Sequence, residues 1–216
     1  MEILRDILLA TGETLYMSLV SLVISYLIGL PLGVLLILTQ SDGLFPRKTV
    51  HTILGWIVDM ARSVPFIILM ILIVPVTRWV MGTAIGTTAA IVPLTLCAIP
   101  FVARVTEQSL KEVDKGTIEA ALAMGAKPWQ IILHVYLNEA LPSLVRGIAL
   151  TAINIIGYSA MAGALGGGGL GNYAITEGYY RYDTTLVIYT VLVIVVIVIL
   201  LQTSFNFVAK KINHKK

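Results

Sequence analysis

The residues most readily recruited to acid–base or metal chemistry are His51, His134 and His214. They stand far apart in the chain, with no cysteine or carboxylate cluster at metal-ligand spacing, so no metal site is expected. No serine, histidine and aspartate set carries a nucleophile motif. The apolar runs also lack the paired acids of a membrane hydrolase or proton pump, so catalysis by this chain alone is not expected. The run GALGGGGLG over 163–171 could suggest a phosphate cradle, but no phosphate-binding loop ending in glycine, lysine and serine or threonine occurs anywhere in the sequence. The chain is therefore expected to hold no ATP or other cofactor itself, and the glycine run reads as a flexible external turn. Cys97 is the single cysteine and lies in an apolar run, where it reads as a small buried hydrophobe. Two other groups of residues remain: Thr151, Asn154, Tyr158, Ser159 and Met161 inside one apolar stretch, and the segment around Glu119.

The elements that must position these residues belong to a membrane. The 216 residues are 57% hydrophobic and only 12% charged, whereas a soluble domain carries about 25% charged residues. A crossing helix needs about 20 mainly apolar residues. The expected architecture is an all-α integral membrane protein, a single domain over 1–216 with about five transmembrane helices at about 15–38, 53–76, 85–105, 144–165 and 185–208. The fifth is the clearest, because Leu186 to Leu201 is aliphatic except for Tyr189 and Thr190; at about −0.3 to −0.6 kcal/mol per residue it favours insertion by roughly 4 to 8 kcal/mol. Its β-branched richness would suit a strand in water, but a lone strand in lipid leaves its backbone unsatisfied. The start, MEILRDILLATGET, is too broken by charge for a secretory signal, and Ile3, Leu4, Ile7 and Leu8 fit one face of a short interfacial helix. Arg62 falls inside the second span, where it would cost about 2.5 to 3.5 kcal/mol at mid-membrane; snorkelling or pairing with Asp59 relieves that cost.

Orientation follows from the basic residues, which short cytoplasmic loops retain. With the N-terminus outside and the C-terminus inside, Arg47, Lys48, Arg62, Arg104, Lys111, Lys115, Lys127, Arg146, Lys210, Lys211, Lys215 and Lys216 are cytoplasmic. Only Arg5, Arg78 and Arg181 stay outside, a bias of 12 to 3 among the 15 basic residues. Because they are scattered between apolar runs, the net charge of +3 does not indicate nucleic acid. The tail KKINHKK reads as an anchor on the membrane lipid surface.

The cytoplasmic segment over 112–142 is far longer than a connection between two helices requires. Thr117 is expected to cap a helix whose first turn holds Glu119, beside the exposed N–H groups. Gly125 fits the left-handed residue that stops that helix, and Pro128 suits the first position of the next, in which Trp129, Ile132, Leu133 and Tyr136 share one face. The pair of short helices would present Ala120, Ala121 and Met124 at the surface, where small side chains let another protein approach closely. In the fourth span, polar Thr151, Asn154, Tyr158 and Ser159 face either helix neighbours or a water-filled route. Flexible, apolar Met161 suits either packing or closure of a pore.

Glu119-Ala120-Ala121, three intervening residues, Gly125, nine more, Val135, one more and Leu137 resembles the EAA loop of ABC importer permeases, which docks into a cleft of a cytoplasmic ATPase. One departure is Asn138, where that pattern usually has proline; here Pro142 follows instead. The resemblance extends along most of the chain and is closest to the methionine importer permeases, on Arg62 to Leu69, Ala90 to Thr95, Gly157 to Gly163 and the Gly166 to Gly171 run. It implies a type I ABC importer permease fold and a homodimer of this chain in the bacterial inner membrane. It also implies two ATPase subunits that hold ATP and Mg, and an external methionine-binding lipoprotein. Under it, Glu119, Ala120, Ala121, Met124, Gly125 and Leu137 couple to the ATPase, and Asn154, Tyr158, Ser159 and Met161 belong to the translocation path or its gate. Transport of another small amino acid or an oligopeptide, or a role as a membrane scaffold or enzyme, stays open on the residues alone.

Overall fold

A computed structural model describes residues 2–212, so His214, Lys215 and Lys216 lie outside the described residues. Every regular element among the described residues is helical. Helix α1 spans Glu2–Thr39, α2 Lys48–Ser63, α3 Phe66–Leu72, α4 Val74–Met81 and α5 Thr87–Lys111. There follow α6 (Lys115–Ala123), α7 (Pro128–Gln130), a π-helical turn at Ile131–Tyr136, α8 (Leu137–Glu139) and α9 (Leu141–Ala164). The chain closes with α10 (Gly169–Tyr173), a second π-helical turn at Ala174–Tyr179, and α11 (Thr184–Ile212).

Four of these, α1, α5, α9 and α11, are each long and apolar enough to cross a bilayer, and α2 with α3 forms a bent pair. The separate interfacial helix expected at the N-terminus is instead the opening of α1, which at about 1.5 Å per residue is roughly 57 Å long and overreaches a 30 Å hydrocarbon core. The second span, expected as one helix, is bent by 98° between α2 and α3. Val64 and Pro65 are extended there, with ψ of 122° and 133°, and Pro65 brings no N–H to continue the ladder. Hydropathy sums over such a segment without sensing the change of direction. Arg62 lies 3.8 Å from Asp59 and places its guanidinium 5.8 Å from the centre of the Phe101 ring.

Helices α1 and α5 form the spine and run parallel. The Ser21 hydroxyl reaches the Ile91 carbonyl and the Ser25 hydroxyl the Thr95 carbonyl, both at 3.4 Å and both across 70 residues of sequence. Ser21, Ser25, Gly29 and Gly33 recur every four residues and so line one stripe of α1. A Cβ at Gly29 would stand 2.7 Å from the Val102 Cβ, and one at Gly33 would stand 2.6 Å from the Ala103 carbonyl oxygen. Such small-residue stripes let membrane helices close to van der Waals contact where no hydrophobic effect drives association. Two parallel neighbours need a returning element between them, which is the role of α2 to α4. Helix α9 runs the other way: Gly147 near its start lies against Val105, while beyond its end the Gly166 carbonyl accepts from the Gly86 N–H at 2.8 Å. In α11 the most apolar stretch is only 6% buried inside the chain, so its surface is left for lipid or another subunit.

One end of this bundle gathers Gln40, Glu107, Lys111 and Lys115; the other gathers Glu13, Gly86 and the glycine run. That run is not a loose turn. The Gly169 N–H donates to the Glu13 carboxylate at 2.6 Å and the Leu170 N–H donates to the Thr14 hydroxyl at 2.8 Å. Gly169 has a φ of 76°, a conformation that glycine supplies without Cβ cost. Replacing Glu13 with alanine leaves a charge-assisted bond unmade and is expected to cost about 2 kcal/mol. Thermal unfolding of the purified protein in detergent checks this, with Glu13→Gln losing less.

Candidate functional site

The segment between α5 and α9 is a folded platform. Asp114, rather than Thr117, caps α6: its carboxylate accepts from the Thr117 N–H at 3.2 Å. This places the start of the helix earlier than the sequence reading did and moves Glu119 out of the first turn. At the other end Gly125 takes the left-handed conformation, with φ 77°. The Ala126 N–H donates to the Ala121 carbonyl at 3.1 Å and the Gly125 N–H to the Leu122 carbonyl at 2.9 Å. This pair of bonds is the Schellman closure of a helix end. Pro128 opens α7, and the Lys127 N–H donates to the Gln130 side-chain oxygen at 2.8 Å.

The π-helical turn then shifts the register. Ile131 and Tyr136 are buried, while Trp129 and Leu133, expected on the same face as Tyr136, are exposed. With Ala121, Leu110, Val113 and Leu144, these buried side chains join Ile37 and Leu38 of α1 in one cluster, which seats the platform on the bundle end. Ala121 therefore faces inward, not outward as expected. Leu137 packs on the same cluster, and the helix runs through Asn138 to break at Ala140, ahead of Pro142. Glu119, Ala120, Met124 and Gly125 face out, with Met124 82% exposed. A cavity of about 430 Å³ lies on the Glu119 side between α6 and the loop after α1, and another of about 490 Å³ lies beside Met124, Gly125 and His134.

Lys115 at the start of α6 donates to the Asp42 carboxylate at 2.5 Å. The bond holds the Asp42 carboxyl below its usual range and raises the Lys115 ammonium above its own. The tie contributes fully at neutral pH. It is lost as pH falls through the lowered Asp42 value, and again as pH rises through the raised Lys115 value. The difference in melting temperature between the native chain and Asp42→Asn is expected at pH 7, begins to shrink as pH falls past the ordinary carboxylate value of about 4, and vanishes only below the lowered Asp42 value. Paired melting curves across pH measure it.

Of the residues expected along the path, Tyr158 stacks on Phe66 of α3, ring centres 5.0 Å apart and 14° from parallel. Asn154 is half-buried, and Met161 is 48% exposed. Ser159 is buried, and its hydroxyl donates to the Ile156 carbonyl of its own helix at 2.7 Å. Asn154, Tyr158 and Met161 thus share an open side of α9, and Ser159 turns into the bundle. His51 and His134 are spent locally, their ring nitrogens 3.1 Å from the Leu36 carbonyl and 3.2 Å from the Gln130 carbonyl.

A cluster not anticipated from the sequence lies just before the platform. Glu107 is only 1% exposed, and its carboxylate accepts from Gln40 at 3.0 Å and from Arg104 at 2.6 Å, with the Lys111 ammonium at 3.0 Å. Arg104 also grips Asp59 of α2 with two nitrogens, at 2.9 and 2.6 Å, and donates to the Gly55 carbonyl at 3.0 Å. The spacing Arg104, Glu107, Lys111 is itself the signal, because residues three and four apart meet on one helix face.

Residues 25–216 match the family of binding-protein-dependent transport system inner membrane components. The chain belongs to this family. As a member, it is 46% identical over 211 residues to the "Probable D-methionine transport system permease protein MetI" of Vibrio cholerae, covering 97% of this chain and 94% of that one. It is 44% identical over 180 residues to the "Methionine import system permease protein MetP" of Bacillus subtilis, covering 82% and 81%. Among solved structures, a chain from inward-facing conformations of the MetNI methionine ABC transporter superposes with a TM-score of 0.96 at 41% identity, covering 98% of both chains. A chain of an amino acid ABC transporter with histidines shares the fold, with a TM-score of 0.78 at 18% identity. The architecture of this inner membrane component is thus the ABC importer permease fold.

Proposed function

We propose that the chain is the membrane-crossing subunit of an ATP-driven importer and forms, as a homodimer, the path for methionine in its D- or L-form across the bacterial inner membrane. The platform over 112–142 is its coupling loop. Glu119, Ala120, Met124 and Gly125 face a cytoplasmic ATPase that holds the ATP and Mg, one per permease, while Ala121 and Leu137 act from beneath by seating the loop. Asn154, Tyr158 and Met161 line or close the path, and Ser159 fixes the helix that carries them. An external lipoprotein delivers the substrate at the end marked by Glu13 and the glycine run. The N-terminus is outside and the C-terminus inside, as the concentration of lysine and arginine toward the platform end supports.

The observation that carries this reading is the outward-facing loop, closed by Gly125 at the basic end of a bundle whose relatives along nearly the whole chain are methionine permeases. ATP closure of the partner would move the loops as rigid bodies and switch the path between its two openings. Labelled methionine uptake into vesicles holding the complex purified from native membranes, with its receptor added, tests it. Uptake that requires MgATP and is competed by unlabelled methionine is expected. Competition only by another amino acid or a peptide would replace the substrate, and absence of ATP-dependent flux would overturn the transport reading.

A further inference from the structure

The geometry points to Arg104 and Glu107 as positioning residues that oblige the bent helix pair α2–α3 to follow the coupling loop, an inference that rests on the importer reading above. Helix α5 ends at Lys111 and α6 begins at Lys115, so the last turn of α5 leads directly into the platform. That turn is where Glu107 is held by Arg104, Lys111 and Gln40, the last of these from the end of α1. Arg104 in turn fixes α2 through both oxygens of Asp59 and through the Gly55 carbonyl. Helix α2 meets α3 at 98°, and α3 carries Phe66, stacked on Tyr158. A rotation of α2 therefore becomes a sideways displacement of Phe66 against the open side of α9.

Apolar contacts alone would let α2 slide on α5, because dispersion has little directionality. A two-pronged guanidinium–carboxylate clamp fixes one register, and a buried carboxylate stays in place only while its partners do. The network thus joins the last turn of α5, where the platform begins, to the end of α1 and to α2, and the turn at Val64 and Pro65, whose ring fixes one φ, carries α3 along with α2. A chain of contacts becomes a coupling path only when breaking it changes the coupling, and that is the quantity to measure.

The test uses the complete complex in vesicles and reads ATP hydrolysed per substrate carried, for the parent, Glu107→Gln, Glu107→Asp and Asp59→Asn. Glu107→Gln is expected to raise that ratio at least about tenfold with ATP hydrolysis retained, and Glu107→Asp, which keeps the charge, to restore most of the coupling. Asp59 has a side chain 57% exposed, so Asp59→Asn does not endanger folding; it is expected to raise the ratio in the same direction by a smaller factor, and it decides the matter if Glu107→Gln does not accumulate. An unchanged ratio, or transport and hydrolysis falling together in step with the amount of assembled complex, overturns the positioning role while leaving the importer reading intact. A parent complex without ATP-driven transport overturns both.

Discussion

Placing tryptophan at Gly125 is expected to abolish coupled transport while leaving the chain folded and inserted. No atom of the protein lies within 4 Å of where a Cβ at Gly125 would stand, so the ring meets nothing within its own subunit. The internal cost is the left-handed backbone, φ 77°, at about 1 to 2 kcal/mol for an L-residue, on a helix end at the surface. Gly125→Ala pays the same backbone cost without the bulk, and is expected to retain much of the activity. The large effect of tryptophan comes from whatever must approach the platform. Loss of a central docking contact, worth about 2 kcal/mol or more, weakens association at least about 30-fold. Uptake and hydrolysis assays on the two variants, with membrane content measured beside them, separate docking from folding.

Gly33→Leu has the opposite character, since it damages the bundle and not the docking face. A Cβ at Gly33 would stand 2.5 Å from the Thr106 Cβ and 2.6 Å from the Ala103 carbonyl oxygen. Backbone cannot step aside as a flexible side chain can, so α1 and α5 must separate along the small-residue stripe. Overpacking of this kind costs about 3 kcal/mol, a large share of a total stability of about 5 to 15 kcal/mol. The expected outcome is a lower melting temperature in detergent and little accumulation in membranes. Gly12 on the same helix has nothing within 4 Å of its would-be Cβ, so Gly12→Ala is expected to be neutral or slightly stabilising, since alanine suits a helix interior better.

How much of this was legible in the sequence depended on whether the signal was local. The helical membrane fold follows from composition and from runs such as Leu186 to Leu201. The turn at Gly125 and the helix start at Pro128 follow from residue types with narrow backbone preferences, and both stand as expected. Asp114 and Thr117 are both good capping residues, and only the fold decides which N–H is orphaned, so the cap of α6 falls at Asp114 and not at Thr117. Ala121 turned inward because the loop needs a small side chain at its seat as well as at its face. The faces of Trp129 to Tyr136 shifted because a π-helical turn breaks the 3.6-residue period. The bend at Pro65 and the clamp between Arg104 and Asp59, 45 residues apart, are tertiary, though the Arg104, Glu107 and Lys111 spacing was already visible in the chain.

The central claim is that the platform docks an ATPase, and capture of the tagged chain from its own membranes in mild detergent tests it most directly. The co-purified proteins are identified and ATP hydrolysis is assayed, with Glu119→Lys carried in parallel. Glu119 is exposed on α6, so reversing its charge is expected to leave the fold intact. An ATPase retained by the native chain and lost with Glu119→Lys is the predicted result; native chain that is folded, intact and repeatedly free of any ATPase would contradict it.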